Sequence, residues 1–122
     1  MAKLAFVVQT EPYKFEAIDT LLNMVRAAQR AGHTILGVFF FGSGVHALHG
    51  HVDPGDSVRN LTERIESELA DKGIPIMGCT AWLSMGGVWA KDRIESVREE
   101  GLGTLTELAT QADKLIFFGP GV

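Results

Sequence analysis

Cysteine is almost missing from this chain: one residue, Cys79, in 122. A single thiol excludes an intrachain disulfide framework and a self-contained dithiol redox pair, and it suits a reducing compartment. Basic charge is also short, with 11 Lys and Arg against 15 Asp and Glu and a formal net charge of −4. That balance argues against nucleic acid or an anionic membrane as the main partner, because basic faces grip both. Long apolar runs are absent as well. The densest, around Phe39 to Phe41, falls far below the roughly 20 residues that span a bilayer. Met1-Ala2-Lys3 leads straight into strand-like residues without a signal-peptide pattern, so the expected location is cytoplasmic. No repeat, linker or low-complexity tract interrupts the chain. What is present is ordinary for one globular domain over residues 1–122, with 46% hydrophobic and 21% charged residues. A chain of that size buries about two thirds of its unfolded surface, enough for a core without staples.

Hydrophobic patterning alternates strand and helix. Leu4 to Val8 is a continuous apolar run, as in a strand buried on both faces. Ile18, Leu21, Leu22, Val25 and Ala28 recur at helical spacing and predict a helix over Phe15 to Ala31, stopped by Gly32. His33 to Phe41 reads as the second strand, and Gly42 to His46 as its flexible exit. Ala47 to Asp56 reads as a loop with Pro54-Gly55 as its turn. A helix is expected from Ser57 to Lys72, capped by Asp56 or Ser57. Its buried stripe would be Val58, Leu61, Ile65 and Leu69, with a Glu68–Lys72 pair and Gly73 as its end. Ile74 to Met77 reads as the third strand, Gly78 as a turn, and the residues after Cys79 as a short helix ending at Gly86-Gly87. Lys91 to Glu100 reads as a short surface helix. Thr104-Leu105-Thr106-Glu107 is a capping box opening a helix to Gln111, and Lys114 to Phe118 is the last strand. The alternation predicts an α/β fold, an open and mostly parallel sheet of four to five strands with helices on both faces.

In such sheets chemistry gathers at the carboxyl ends of the strands. The loop after Gln9, with Glu11, the Gly42 to His46 exit, Cys79 and the carboxyl-terminal tail should therefore share one edge. A lone cysteine is commonly a small buried apolar residue. At a strand-to-helix switch it has a second reading, because backbone N–H groups at a helix start favour the thiolate. His46, leaving a strand on the same edge, would add to that effect as an imidazolium. Trp82, Met85, Val88 and Trp89 read either as core packing or, beside two glycines, as a partner-docking lip around Cys79. His46, His49 and His51 with one thiol fit no zinc spacing, so no metal is expected. Gly42-Ser43-Gly44 is not a dinucleotide fingerprint, and no cofactor is expected.

These segments resemble the DsrE/TusD family of sulfur-relay proteins. The resemblance is carried by FVVQTEPY, ILGVFFFGSGVH, IPIMGCTAWLSMGGV and GLGTLTELATQADKLIFF, in the right order and over nearly the whole chain. Its most specific parts are the FFFGSGV exit and the cysteine after the third strand. The resemblance implies a DsrE-like α/β fold assembled into a hexamer, in which DsrE- or TusD-like subunits join DsrF/TusC-like and DsrH/TusB-like ones. It implies persulfide relay on Cys79, with sulfur received from a TusA-like donor and passed to a DsrC- or TusE-like acceptor. The pathway would be sulfur oxidation or tRNA thiolation, and FFFGSGVH reads closer to the former. Only Cys79 carries over by motif; a role for His46 rests on its position. One thiol suffices for such a relay, because the acceptor supplies the second. The alternative is a non-catalytic subunit or small-molecule binding module in which Cys79 is merely buried.

Overall fold

The computed structural model describes residues 1–119. Five strands, β1 (Lys3–Val8), β2 (Thr34–Phe40), β3 (Ile76–Cys79), β4 (Val97–Glu100) and β5 (Lys114–Phe118), form one sheet in the order β4-β3-β2-β1-β5. Every neighbouring pair is parallel. The helices are α1 (Ala17–Arg30), α2 (Leu61–Glu68), α3 (Thr80–Met85) and α4 (Leu102–Gln111), with 3-10 turns at Gly42–Leu48, Ala70–Lys72 and Ala90–Asp92. The expected α/β class, with helices on both faces, is the observed one.

Topology decides which face each helix covers. From β1 to β4 the chain steps in one direction, and α1, α2 and α3 pack on one face through Ile18, Leu22, Ile65 and Leu83. The return from β4 to β5 runs the other way across the sheet. A right-handed crossover then places its helix on the opposite face, where Leu108 of α4 meets Ala5, Val7, Phe39, Met77 and Cys79. The first face is therefore thick and the second is covered by one helix.

Several boundaries differ from the sequence reading. Helix α1 begins at Ala17, because Phe15 and Glu16 take left-handed conformations with φ of 57° and 53°. Helix α2 starts later than Ser57: the Asn60 side chain, not Asp56 or Ser57, caps it by accepting from the Glu63 amide at 3.1 Å. Val58 consequently lies outside the helix and is half exposed. Glu68 pairs with Arg64 and Arg26 across to α1 instead of Lys72. Gly73 does end the segment, at φ 73°. The stretch read as a surface helix, Lys91 to Glu100, is a 3-10 turn followed by β4, which completes the ladder against β3. Pairing available in the folded sheet overrides the local preference of Val97-Arg98-Glu99-Glu100. Helix α4 opens at Leu102 with Gly101 as its cap, so the capping box is not used. The exit after β2 is a 3-10 turn, held because Gly44 lies so close to the Val8 carbonyl that no side chain would fit.

Strand β3 is displaced by two residues from the expected Ile74 to Met77. Pro75 has no N–H for the ladder, although its carbonyl accepts from Val38 at 3.0 Å. Gly78 is not a turn but a strand residue, pressed against Leu48 and Leu83 where a Cβ would collide. Among the described residues, no helix is long and apolar enough to cross a membrane. The carboxyl-terminal tail expected at the functional edge falls mainly at 120–122, outside the described residues.

Candidate functional site

Cys79 is the last residue of β3 and the residue from which α3 departs. The two-residue displacement of β3 puts it inside the sheet, where it is only 5% exposed. Strand alternation sends Gly78 towards Leu83 on the thick face and Cys79 towards Phe39, Met77 and Leu108 on the thin one. On the β2 side the next residue in register is Phe41, partly buried in the same cluster. Phe41 meets Trp82 edge to face, with ring centroids 5.8 Å apart. On the other side Cys79 pairs in register with Glu100 of β4.

Glu100 was invisible as a neighbour while its segment read as a helix. Its side chain lies on the thin face, because its carboxylate accepts from the Thr104 hydroxyl of α4 at 3.3 Å. Its carbonyl accepts from the Thr80 hydroxyl at 3.4 Å. The cysteine thus stands between an aromatic neighbour and a carboxylate. A helix-shaped pattern was expected there only because VREE lacks the alternation that marks a strand.

Three of the other predicted residues, His46, Trp82 and Met85, meet at a cleft that α3 itself helps to form. His46, Trp82, Met85 and Gly86, with Gly42, Ser43 and Val45, line a cleft of about 180 Å³ between the 3-10 turn and α3. Met85 is 68% exposed and Trp82 and Trp89 are partly so. Trp89 lies beyond Gly87 and does not line the cleft. His46 packs against Gly86 and stacks on His49 at 5.7 Å between ring centroids. Burial pushes the His49 pKa below the ordinary histidine value; the neighbouring His46 adds to this and Asp92 opposes it. His51 faces the Lys91 carbonyl instead, at 3.4 Å. Cys79 is not among the residues that line the cleft. Among the described residues, no group of three or more His, Cys, Asp or Glu side chains stands close enough to hold a metal ion.

Similarity to known proteins covers the whole of this arrangement. The family model for the DsrE/DsrF-like family matches residues 2–118. A protein named "Putative sulfurtransferase DsrE" from Allochromatium vinosum is 31% identical, over 96% of this chain and 98% of that one. A "Sulfurtransferase TusD homolog" from Pseudomonas aeruginosa is 28% identical, over 89% of this chain and 92% of that one. Among solved structures, the ychN protein from E. coli superposes with a TM-score of 0.84 at 22% identity, covering 97% of this chain and 100% of that one. A protein of unknown function from Methanobacterium thermoautotrophicum superposes at 0.74 with 18% identity, again over 97% and 100%. The structural likenesses establish the fold.

Proposed function

The chain belongs to the DsrE/DsrF-like family, and from that premise we propose that it is a sulfur-relay carrier with Cys79 as its persulfide-bearing nucleophile. The thiolate attacks the terminal sulfane sulfur of a donor persulfide. The donor's S–S bond breaks, its thiolate leaves, and Cys79 becomes a persulfide. A thiolate of the acceptor then attacks the outer sulfur and regenerates Cys79. No net oxidant or reductant is needed, because each step exchanges one S–S bond for another. The observation that carries the reading is the placement of the chain's one thiol at the β3–α3 junction of the sheet's carboxyl edge, in a chain whose relatives are named sulfurtransferases.

Transfer requires the sulfur to be reached. Helix α3 has only six residues and is followed by Gly86 and Gly87, the latter at φ 70°. In this reading its displacement, carrying Trp82 away from Phe41, opens a way to Cys79. Met85, Trp82 and Trp89 form the docking lip for a donor of TusA-like and an acceptor of DsrC- or TusE-like kind. His46, in the neighbouring cleft, has the role of electrostatic helper in this reading. We place the protein in a cytoplasmic hexamer with DsrF/TusC-like and DsrH/TusB-like subunits or with its own copies. Sulfur oxidation is favoured over tRNA thiolation. Incubation with a persulfidated donor should add the mass of one sulfur to the wild type and none to Cys79→Ser; equal loading of both removes Cys79 from the relay.

The low exposure of Cys79 favours a second reading, a binding module or non-catalytic subunit with an inert thiol. Alkylation of the native protein at neutral pH separates the two. Modification without unfolding supports the carrier, and protection until denaturant is added supports the module.

A further inference from the structure

We propose that Glu100 determines which sulfur donors Cys79 accepts, by excluding small anionic ones such as thiosulfate; this rests on the carrier reading above. The carboxylate and the thiol are register partners on adjacent parallel strands, whose axes lie about 4.8 Å apart. Both side chains are on the face covered by α4, as the Thr104 hydrogen bond to Glu100 shows. That bond holds the carboxylate on the face that Cys79 shares. The apolar residues that cluster with Cys79 include Phe39, Met77 and Leu108, with Phe41 packed against them. Among the described residues, the one cation on β3 and β4 is Arg98, which is paired with Met77 two residues before Glu100 and is exposed.

Sulfur transfer from thiosulfate brings a dianion to the thiolate. The thiolate attacks the outer sulfur, the S–S bond breaks, and sulfite leaves as a second dianion. Such chemistry needs cations around the nucleophile to gather that charge. Here a fixed negative charge adjoins it. Sulfur presented on a protein persulfide brings the reacting atom without a sulfonate. The site therefore selects protein-borne sulfane sulfur over small oxyanion donors, and Glu100 is a specificity residue, not a proton-transfer group.

The test compares native alkylation of Cys79 by neutral iodoacetamide and anionic iodoacetate at low salt. In Glu100→Gln the rate with iodoacetate should rise roughly three- to tenfold relative to that with iodoacetamide, the range for one unit charge a few ångströms away in a partly screened site. Glu100→Asp, which keeps the charge, should stay near the wild-type ratio. Added salt should narrow the gap in the wild type. Loading from thiosulfate should increase in Glu100→Gln while loading from a persulfidated protein holds. An unchanged ratio, or an equal fall with both reagents, overturns the proposal. A ratio shift in a protein that takes no sulfur from any donor would sink the carrier reading and leave the charge effect standing. Donor loading with a flat ratio does the reverse. Native protection of Cys79 from both reagents would sink both.

Discussion

The two faces of the sheet are built to different standards. The thick face buries Phe6, Val8, Val38, Phe40 and Ile76 beneath α1, α2 and α3, and its helices are tied together by charge. Asp19 accepts from Arg59 and Arg64, and Glu68 from Arg64 and Arg26. The thin face has one helix, a smaller buried set and partly bared aromatics: Phe117 is half exposed and Phe41 partly so. Stability is concentrated on the first face, and the chain's one thiol sits on the second. A weakly covered face is where local opening is least costly, so the division separates holding the fold from reaching the sulfur.

The sharpest test of that division is chemical. Cys79→Ser should lose all sulfur loading at a cost of about 1–3 kcal/mol in urea, because it buries a hydroxyl among apolar neighbours; a larger drop in stability would make the residue structural. Next come truncations on each face. Leu22→Ala or Ile65→Ala should cost roughly 3–4 kcal/mol, as fully buried aliphatic residues do. Leu108→Ala, on the single helix covering the thin face, should cost about 2 kcal/mol and should speed native alkylation of Cys79. Urea titration measures the first effect, and equal costs on both faces would erase the distinction. Gly44→Ala should then lose about 1–3 kcal/mol, as overpacking does, because its new methyl meets the Val8 carbonyl.

The smallest effect lies in acid. The hydrogen bond from Arg59, with Arg64 nearby, holds the Asp19 carboxyl below the usual range against the opposing effect of burial. Burial pushes Glu68 up, but Arg64 and Arg26 outweigh it, so its pKa also falls. A carboxyl depressed in the folded state contributes stability that is present above its unfolded value near 4 and lost as pH falls through the folded one. Asp19→Asn should therefore flatten the decline of stability below about pH 4. These groups are mostly solvated, and the change should be slight. A decline as steep as in the wild type would remove Asp19 from the clasp.

How much of this was readable beforehand depended on how strongly each segment states its preference. Leu4 to Val8, the Ile18-to-Ala28 stripe and Lys114 to Phe118 declare themselves, because apolar runs and helical spacing point to one structure each. Strand β4 does not: Val97-Arg98-Glu99-Glu100 carries no alternation, and only the ladder with β3 makes it a strand. A helix over Lys91 to Glu100 would leave Glu100 unpaired with Cys79. With β3 taken to end at Met77, Cys79 would stand on a turn; ending at Cys79, it stands within the sheet. The cause is Gly78, which is a turn former in isolation but here the flat spot that lets Leu48 and Leu83 close over the strand. Trp82, Met85 and His46 line one cleft, and a linear sequence does not tell that Cys79 lies outside that lining.

Strand β4 has one more consequence. It forms one margin of the sheet and is four residues long, three of them charged. Its unpaired backbone groups offer another copy's strand very little to zip onto, and like charges would meet if two such margins approached. The opposite margin, β5, carries Leu115, Ile116, Phe117 and Phe118 and has no such protection. Growth of the sheet from one molecule to the next is therefore blocked at one end and must find its contacts elsewhere, so this chain is poorly suited to endless strand-by-strand stacking even at high concentration.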